Sequence, residues 1–256
     1  MLKIGFCAKP DQAAAVAAAG FDYIELPVNY IAGLNDADFT ACRQVLADAN
    51  ISAPAFNLLF PKQMQLLEAG TEDREIADYL HAALERVREL GGTTAVFGSG
   101  KSRNRPDALA YGEAFRRLTQ VTRLTGEIAE QHGVTIVIEP LNRGETNMIN
   151  SLGEGACLVA AANHPRVKLL ADYYHIAVEG QPEEDILRLG GIAHAHIATR
   201  EGRRVPTAVD AGYARMFSAM KQTGYTGLLS IEGKTDNLAE DGPAAIRMLR
   251  SKWEEA

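Results

Sequence analysis

Four short apolar runs in this sequence each finish on a side chain that can bind a cation. TIVIEP delivers Glu139, VKLLAD delivers Asp172, HAHI carries His194 and His196, and LLSIEG delivers Glu232. Brought to one place, three carboxylates around an imidazole would repel one another in a poorly solvated space, which is costly unless a cation neutralises them. An oxygen, oxygen, nitrogen, oxygen donor set suits one hard or borderline divalent ion, Mn²⁺ first, with Mg²⁺, Co²⁺ or Zn²⁺ as alternatives. None of the three cysteines (Cys7, Cys42, Cys157) joins the set, so the usual mark of a structural zinc site is missing. Each residue alone has an ordinary alternative, because a strand-end glutamate serves equally well as a salt-bridge partner or helix-cap acceptor. What points to a site is the four occurring together. Of the two histidines in HAHI, only one is expected to face the site: His196, nearer the end of its run, with His194 packed.

The elements that must carry these residues alternate regularly. Apolar runs at 3–8, 23–28, 52–60, 94–100, 135–141, 167–175, 192–198 and 227–233 read as strands. Several are apolar nearly throughout, as parallel strands buried on both faces are. Helical patterns fill the gaps at 11–19, 36–49, 71–90, 106–132, 151–163, 183–189, 210–223 and 237–252. Asp36, Thr71, Ser151 and Asp210 stand at capping positions, and Gly20, Gly91, Gly133 and Gly224 follow helix ends. Eight strand–helix units in 256 residues predict an α/β fold, a (β/α)₈ TIM barrel forming one domain over residues 1–256. The competitor, an open doubly wound sheet, would place a glycine-rich phosphate loop where this chain reads CAKPDQ. In a barrel, functional residues gather at the C-terminal ends of strands, where all four candidates fall.

The whole chain narrows the classes of partner. With 33 acidic against 26 basic residues the net charge is −7, which argues against nucleic acid. The odd, widely spaced cysteines read as reduced residues of a cytoplasmic protein. The N-terminus lacks the apolar stretch of a signal peptide, and no run approaches the ~18 to 20 apolar residues that span a bilayer. Base rates among barrels are compatible with a homo-oligomer. No GxSxG elbow supports a serine hydrolase.

At the residues named above the sequence resembles the xylose isomerase-like barrel superfamily. Within it the likeness is to sugar phosphate isomerases and epimerases, including ketose 3-epimerases and hydroxypyruvate isomerases. It covers essentially the whole chain and is carried by IEPLNRGETN, DYYH, HAHI and GYTGLLSIEG. The resemblance implies that Glu139, Asp172, His196 and Glu232 hold one divalent metal, and that Glu139 and Glu232 also form the acid/base pair. It further implies that Glu145 and His175 contact substrate hydroxyls, helped by an arginine after the seventh strand. That loop, ATREGRRVPTAVDAGY, offers Arg200, Arg203 and Arg204, of which Arg200 is taken. Asn57, near the end of strand three, is added as a substrate contact, with Phe6, Phe60 and Lys101 as further candidate walls. Lys101, Arg103 and Arg105 read as a solvated loop or an anion site. The implied reaction is proton transfer beside a carbonyl, through an enediolate, in a small sugar or hydroxy-keto compound. A metal-dependent lyase or dehydratase on the same scaffold is the alternative. The three-zinc DNA-repair endonucleases of the superfamily need further histidines where this chain has Asn57 and Gly98–Gly100.

Overall fold

A computed structural model of the chain describes residues 2–256. Eight parallel strands close into a barrel in sequence order: β1 (Lys3–Cys7), β2 (Tyr23–Pro27), β3 (Ala55–Asn57), β4 (Thr94–Phe97), β5 (Thr135–Ile138), β6 (Val167–Asp172), β7 (His194–Ile197) and β8 (Leu228–Ile231). Around them run α1 (Ala13–Ala18), α2 (Val28–Ala32), α3 (Asp36–Asp48), α4 (Asp73–Glu89), α5 (Tyr111–Gln131), α6 (Leu152–Ala162), α7 (Tyr173–Glu179), α8 (Asp185–Arg188), α9 (Ala211–Gln222) and α10 (Leu238–Glu255). The predicted barrel is therefore present. Among the described residues no helix is long and apolar enough to cross a membrane.

Why these segments become these elements is visible in their patterning. In α4 the buried residues Ile76, Leu80, Ala83, Leu84 and Val87 recur at helical spacing, and arginines stand in the last turn, where the helix dipole favours them. Each fully buried Leu or Ile contributes about 1.5–3 kcal/mol of transfer free energy. Ser151 and Asp210 cap α6 and α9 by accepting from Glu154 N–H (3.1 Å) and Gly212 N–H (2.8 Å). The other two expected caps shift by one residue: Asn35, rather than Asp36, caps α3 by accepting from Asp38 N–H at 2.9 Å. Glu72, rather than Thr71, precedes α4, while the Thr71 hydroxyl donates to Gln65 O.

Strand alternation decides what enters the barrel. Val96, Val137 and Leu170 are fully buried and form an apolar floor. Two residues further along each strand come Gly98, Glu139 and Asp172, which share that inward parity. On the other half of the barrel the same parity selects Gly5 and Cys7, Tyr23 and Glu25, His194 and His196, and Ser230 and Glu232. Gly5 is required here: a Cβ would lie 2.1 Å from the Tyr23 ring, which fills that space.

The largest departures from expectation fall in three segments. The strand predicted over 52–60 is only Ala55–Asn57, because Pro54 precedes it and Leu58 turns the chain at φ 51°. The strand predicted over 167–175 stops at Asp172, whose carboxylate accepts from Tyr174 N–H at 2.9 Å and starts α7. The helix predicted over 106–132 begins at Tyr111.

Candidate metal and active site

Glu139 and Glu232 lie one residue beyond β5 and β8, Asp172 ends β6, and His196 lies within β7. The fold brings together one ligand atom from each of these four residues, all within 4.8 Å of one another. His196 Nδ1 is 3.3 Å from both Glu139 Oε1 and Glu232 Oε2. Asp172, Glu139 and His196 are buried, and Glu232 is largely so. The wall of β4 leaves room for this group. A Cβ on Gly98 would fall 1.6 Å from Glu139 Oε2, so only glycine lets that carboxylate lie where it does.

His175 reaches the cluster from α7. Its Nδ1 accepts the Asn142 backbone N–H at 3.0 Å, which leaves the proton on Nε2. That Nε2 is buried without a hydrogen-bond partner, 3.5 Å from Asp172 Oδ2 and 4.0 Å from Glu139 Oε1. Asn57 Nδ2 donates to Glu232 Oε1 at 2.9 Å, while its Oδ1 is likewise buried and unpartnered. Glu145 accepts from Asn142 Nδ2 at 3.0 Å.

The loop arginine at this site is Arg203. Its Nη2 donates to Glu232 Oε2 (2.5 Å) and lies 3.4 Å from Asp172 Oδ2, while Nη1 donates to Glu145 Oε1 at 3.2 Å. The guanidinium also stacks 4.7 Å from the Tyr174 ring centroid. Arg200, taken from the sequence, stays outside the cluster: its side chain is 59% exposed and pairs with Glu201 at 4.0 Å. The cause is the loop's attachment to the strand beside it. Lys234 N–H donates to Arg203 O (2.8 Å) and Val205 N–H to Lys234 O (3.0 Å), so Arg203 is pinned over the end of β8 while Arg200 rides on the turn.

Burial and charge set the protonation of the group. Burial, reinforced by the charges of Glu139 and Glu232, pushes the Asp172 carboxyl up to about 7 against the pull of Arg203. Burial also raises Glu232, but Arg203 and the hydrogen bond from His196 outweigh it and hold that carboxyl at about 2. Burial and the nearby Arg203 lower His175 to about 3, which keeps it neutral. Burial opposes charging His196, yet the surrounding acids, Glu25 foremost, raise it well above its ordinary value.

Several other expectations are corrected. His196 joins the cluster and His194 is packed against Glu25, as expected, but being two residues apart both point to the same side, inside the barrel, with ring centroids 5.0 Å apart. Arg103 is fully buried, donating to Phe97 O (2.9 Å) and Glu139 O (2.6 Å), which excludes it from any solvated loop or anion site. Phe6 packs on Phe21 (centroids 5.2 Å). Phe60 and Lys101 do line a cavity of about 320 Å³ with Leu58, Gly98 and Glu145. A second cavity, of about 350 Å³, is lined by Asn57, Leu58, Arg203 and Glu232 among others. Glu25 was not anticipated. It sits inside the apolar-looking FDYIEL, and only strict inward parity along β2 could have singled it out.

A family model described as a xylose isomerase-like TIM barrel matches residues 13–252. The chain belongs to that family. Related to this xylose isomerase-like barrel is D-psicose 3-epimerase of Agrobacterium fabrum, 25% identical over 224 residues that cover 85% of this chain and 76% of the relative. L-ribulose 3-epimerase of Mesorhizobium japonicum is 24% identical over 233 residues, covering 87% and 74%. A D-psicose 3-epimerase crystallised in the presence of D-fructose superposes with a TM-score of 0.86 over 98% of this chain and 99% of that one. At 21% identity that likeness speaks to the fold.

Proposed function

We propose that this barrel is a divalent-metal-dependent sugar epimerase that inverts a carbon next to the carbonyl of a small ketose. The observation that carries the reading is the pair of carboxylates, Glu139 and Glu232, delivered from strands five and eight, each to 3.3 Å from His196 Nδ1. Epimerisation needs one group to remove a proton from one face of a carbon and another to return a proton to the opposite face. The relatives favour this chemistry over the dehydratase alternative, since those named above are ketose 3-epimerases.

Glu139, Asp172, His196 and Glu232 would hold the ion, Mn²⁺ in the first instance. The fit rests on their chemistry: three carboxylates with buried oxygens converge on one imidazole nitrogen, more negative charge than the single guanidinium beside them balances. When bound, the ion supplies Lewis acidity that makes the hydrogen beside the carbonyl easier to remove.

Everything else falls to the chain. Glu232, ionised across the neutral range, takes the proton from the carbon, and the C–H electrons move toward the carbonyl oxygen to give an enediolate. Glu139, having taken a proton from solvent, then returns it to the opposite face as the carbonyl re-forms, and Glu232 releases its proton to solvent; in the reverse direction the two exchange roles. His175 Nε2–H, unpartnered in the protein, donates to a substrate oxygen, and Asn57 Oδ1 accepts from a hydroxyl. Arg203, together with Glu145, orients the remaining hydroxyls across the mouth.

The test is to strip the protein with chelator, restore Mn²⁺, Mg²⁺, Co²⁺ or Zn²⁺ singly, and incubate it with D-fructose, D-psicose or L-ribulose in D₂O. Metal-dependent appearance of the C3 epimer with deuterium at C3 is the expected result. Stoichiometric metal without exchange in any ketose would reject the epimerase reading and leave the metal site standing.

A further inference from the structure

Below the carboxylate cluster the barrel is filled by a second polar layer that the proposed chemistry does not use. Glu25 lies at its centre with no exposed surface. Its Oε1 is 2.9 Å from His196 Nε2, and its Oε2 is 2.8 Å from His194 Nε2 and accepts the Ser230 hydroxyl. Ser230 is in turn 2.8 Å from the Tyr23 hydroxyl. His194, His196, Ser230 and Tyr23 are all buried to within 1%. A carboxylate in the middle of a barrel is expensive, and this one is held by donors from two other strands.

The His196 ring therefore has two occupied edges. Nδ1 looks up at Glu139 and Glu232; Nε2 looks down at Glu25. We propose that Glu25 is a positioning residue for His196: by holding Nε2–H from below, it fixes the ring plane and tautomer so that Nδ1 is the nitrogen offered to a cation at the Glu139–Asp172–Glu232 cluster. A carboxylate behind a ligating imidazole also makes it the stronger donor. His194, bound to the other oxygen of Glu25, keeps the carboxylate from rotating away. This inference rests on the metal-site reading above.

Two other roles fit the same residues and are separable from it. The layer could serve only to fill the barrel. Alternatively Cys7, Glu25 and His196, whose ligand atoms also lie within 4.8 Å of one another, could themselves hold an ion through Nε2. The experiment is Mn²⁺ affinity of the chelator-stripped protein, measured by competition with an indicator chelator, in wild type and in Glu25→Gln, Ser230→Ala and Cys7→Ser, with the Co²⁺ visible spectrum and the metal-free Tm of each. Glu25→Gln should bind Mn²⁺ roughly 10- to 100-fold more weakly and shift the Co²⁺ bands. Ser230→Ala, which removes a donor to Glu25 but no hydrogen bond of His196, should lower Tm while binding Mn²⁺ like wild type. If Glu25→Gln does not fold, Glu25→Asp, which can reach only one of the two imidazoles, takes its place with the same expected direction.

Wild-type affinity in the folded Glu25 variant would overturn the proposal, as would an equal loss in Ser230→Ala. A bound ion lost in Cys7→Ser would overturn it in favour of the lower site. A wild type that binds no Mn²⁺ at all would remove the metal reading itself, and this inference with it.

Discussion

Arg203 divides its two Nη groups between Glu145 on one side and Glu232 and Asp172 on the other, so it occupies positions that a polyhydroxy substrate would need. A substrate hydroxyl replacing either contact keeps the guanidinium satisfied, which makes Arg203 a natural counter-contact for sugar oxygens. Arg203→Ala is expected to lower kcat/KM by roughly 10- to 100-fold, the size of a lost charge-assisted hydrogen bond, whereas Arg200→Ala should leave it within about twofold. Equal effects in a steady-state assay would remove Arg203 from the site. Glu139→Gln and Glu232→Gln should each reduce turnover by about 10²- to 10⁴-fold, as expected for loss of a general acid or base; near-normal turnover in either variant would exclude that residue. The four converging residues were legible because strand ends announce themselves by an apolar run that stops on a polar side chain. The choice among three arginines was not, because an irregular loop has no period. Arg203 is selected by backbone bonds to Lys234 that no local pattern encodes.

At the scale of the elements, alternation along eight strands does most of the placing, and glycines mark where it would otherwise fail. Gly98 and Gly5 both face inward, yet their replacement should have opposite signatures. An alanine Cβ at 98 meets the end of the Glu139 side chain (Oε2 at 1.6 Å, Cδ at 2.8 Å), which can swing aside. Gly98→Ala should therefore change Tm by only a few degrees while lowering turnover at least ~10-fold through the displaced carboxylate. An alanine at 5 meets the Tyr23 ring at 2.1–2.5 Å, and that ring is wedged in the barrel with its hydroxyl tied to Ser230. Gly5→Ala should cost about 1–3 kcal/mol, as overpacking does, read as a Tm loss of several degrees. The strand–helix alternation that places these residues was readable from sequence because parallel strands covered on both faces are apolar runs punctuated by helix-closing glycines; Gly133, at φ 70°, is one. What escaped were the short helices α2 and α7, each under two turns or close to it and too brief to show a period. Glu25 escaped for a related reason: apolar neighbours on both faces conceal an inward acid until the barrel closes around it.

For the whole molecule, the charges at the mouth make stability depend on pH in a way that the bound ion should reverse. In metal-free protein the Asp172 carboxyl, near 7 when folded and near 3.8 when unfolded, binds a proton more tightly in the native state. Its contribution therefore falls as pH rises from about 4 to 7. His175 runs the other way. Held at about 3 against an ordinary 6.5, it contributes stability that is complete above 6.5 and is lost as pH falls toward 3. Glu232, held at about 2 against 4.5, adds a loss only below pH 4.5. The first two shifts nearly offset one another between pH 4 and 6.5, so chelated wild type should show a flat Tm there. Asp172→Asn removes one of the opposing pair. Its chelated form should gain stability from pH 4 to 6.5 and exceed chelated wild type by several degrees at pH 8, where the wild-type protein carries a buried, ionised carboxylate that Arg203, shared with Glu232 and Glu145, only partly offsets. Adding Mn²⁺ at roughly 100 times its Kd should raise the wild-type Tm by about 5–10 °C at pH 8. The increment should shrink steadily as pH falls, as protons compete for Asp172 and His196, and should be absent in Asp172→Asn. Thermal melts of the two proteins across pH 4–8, with and without Mn²⁺, check every part of this. A metal increment that is independent of pH would mean that the ion does not displace the Asp172 proton and sits elsewhere.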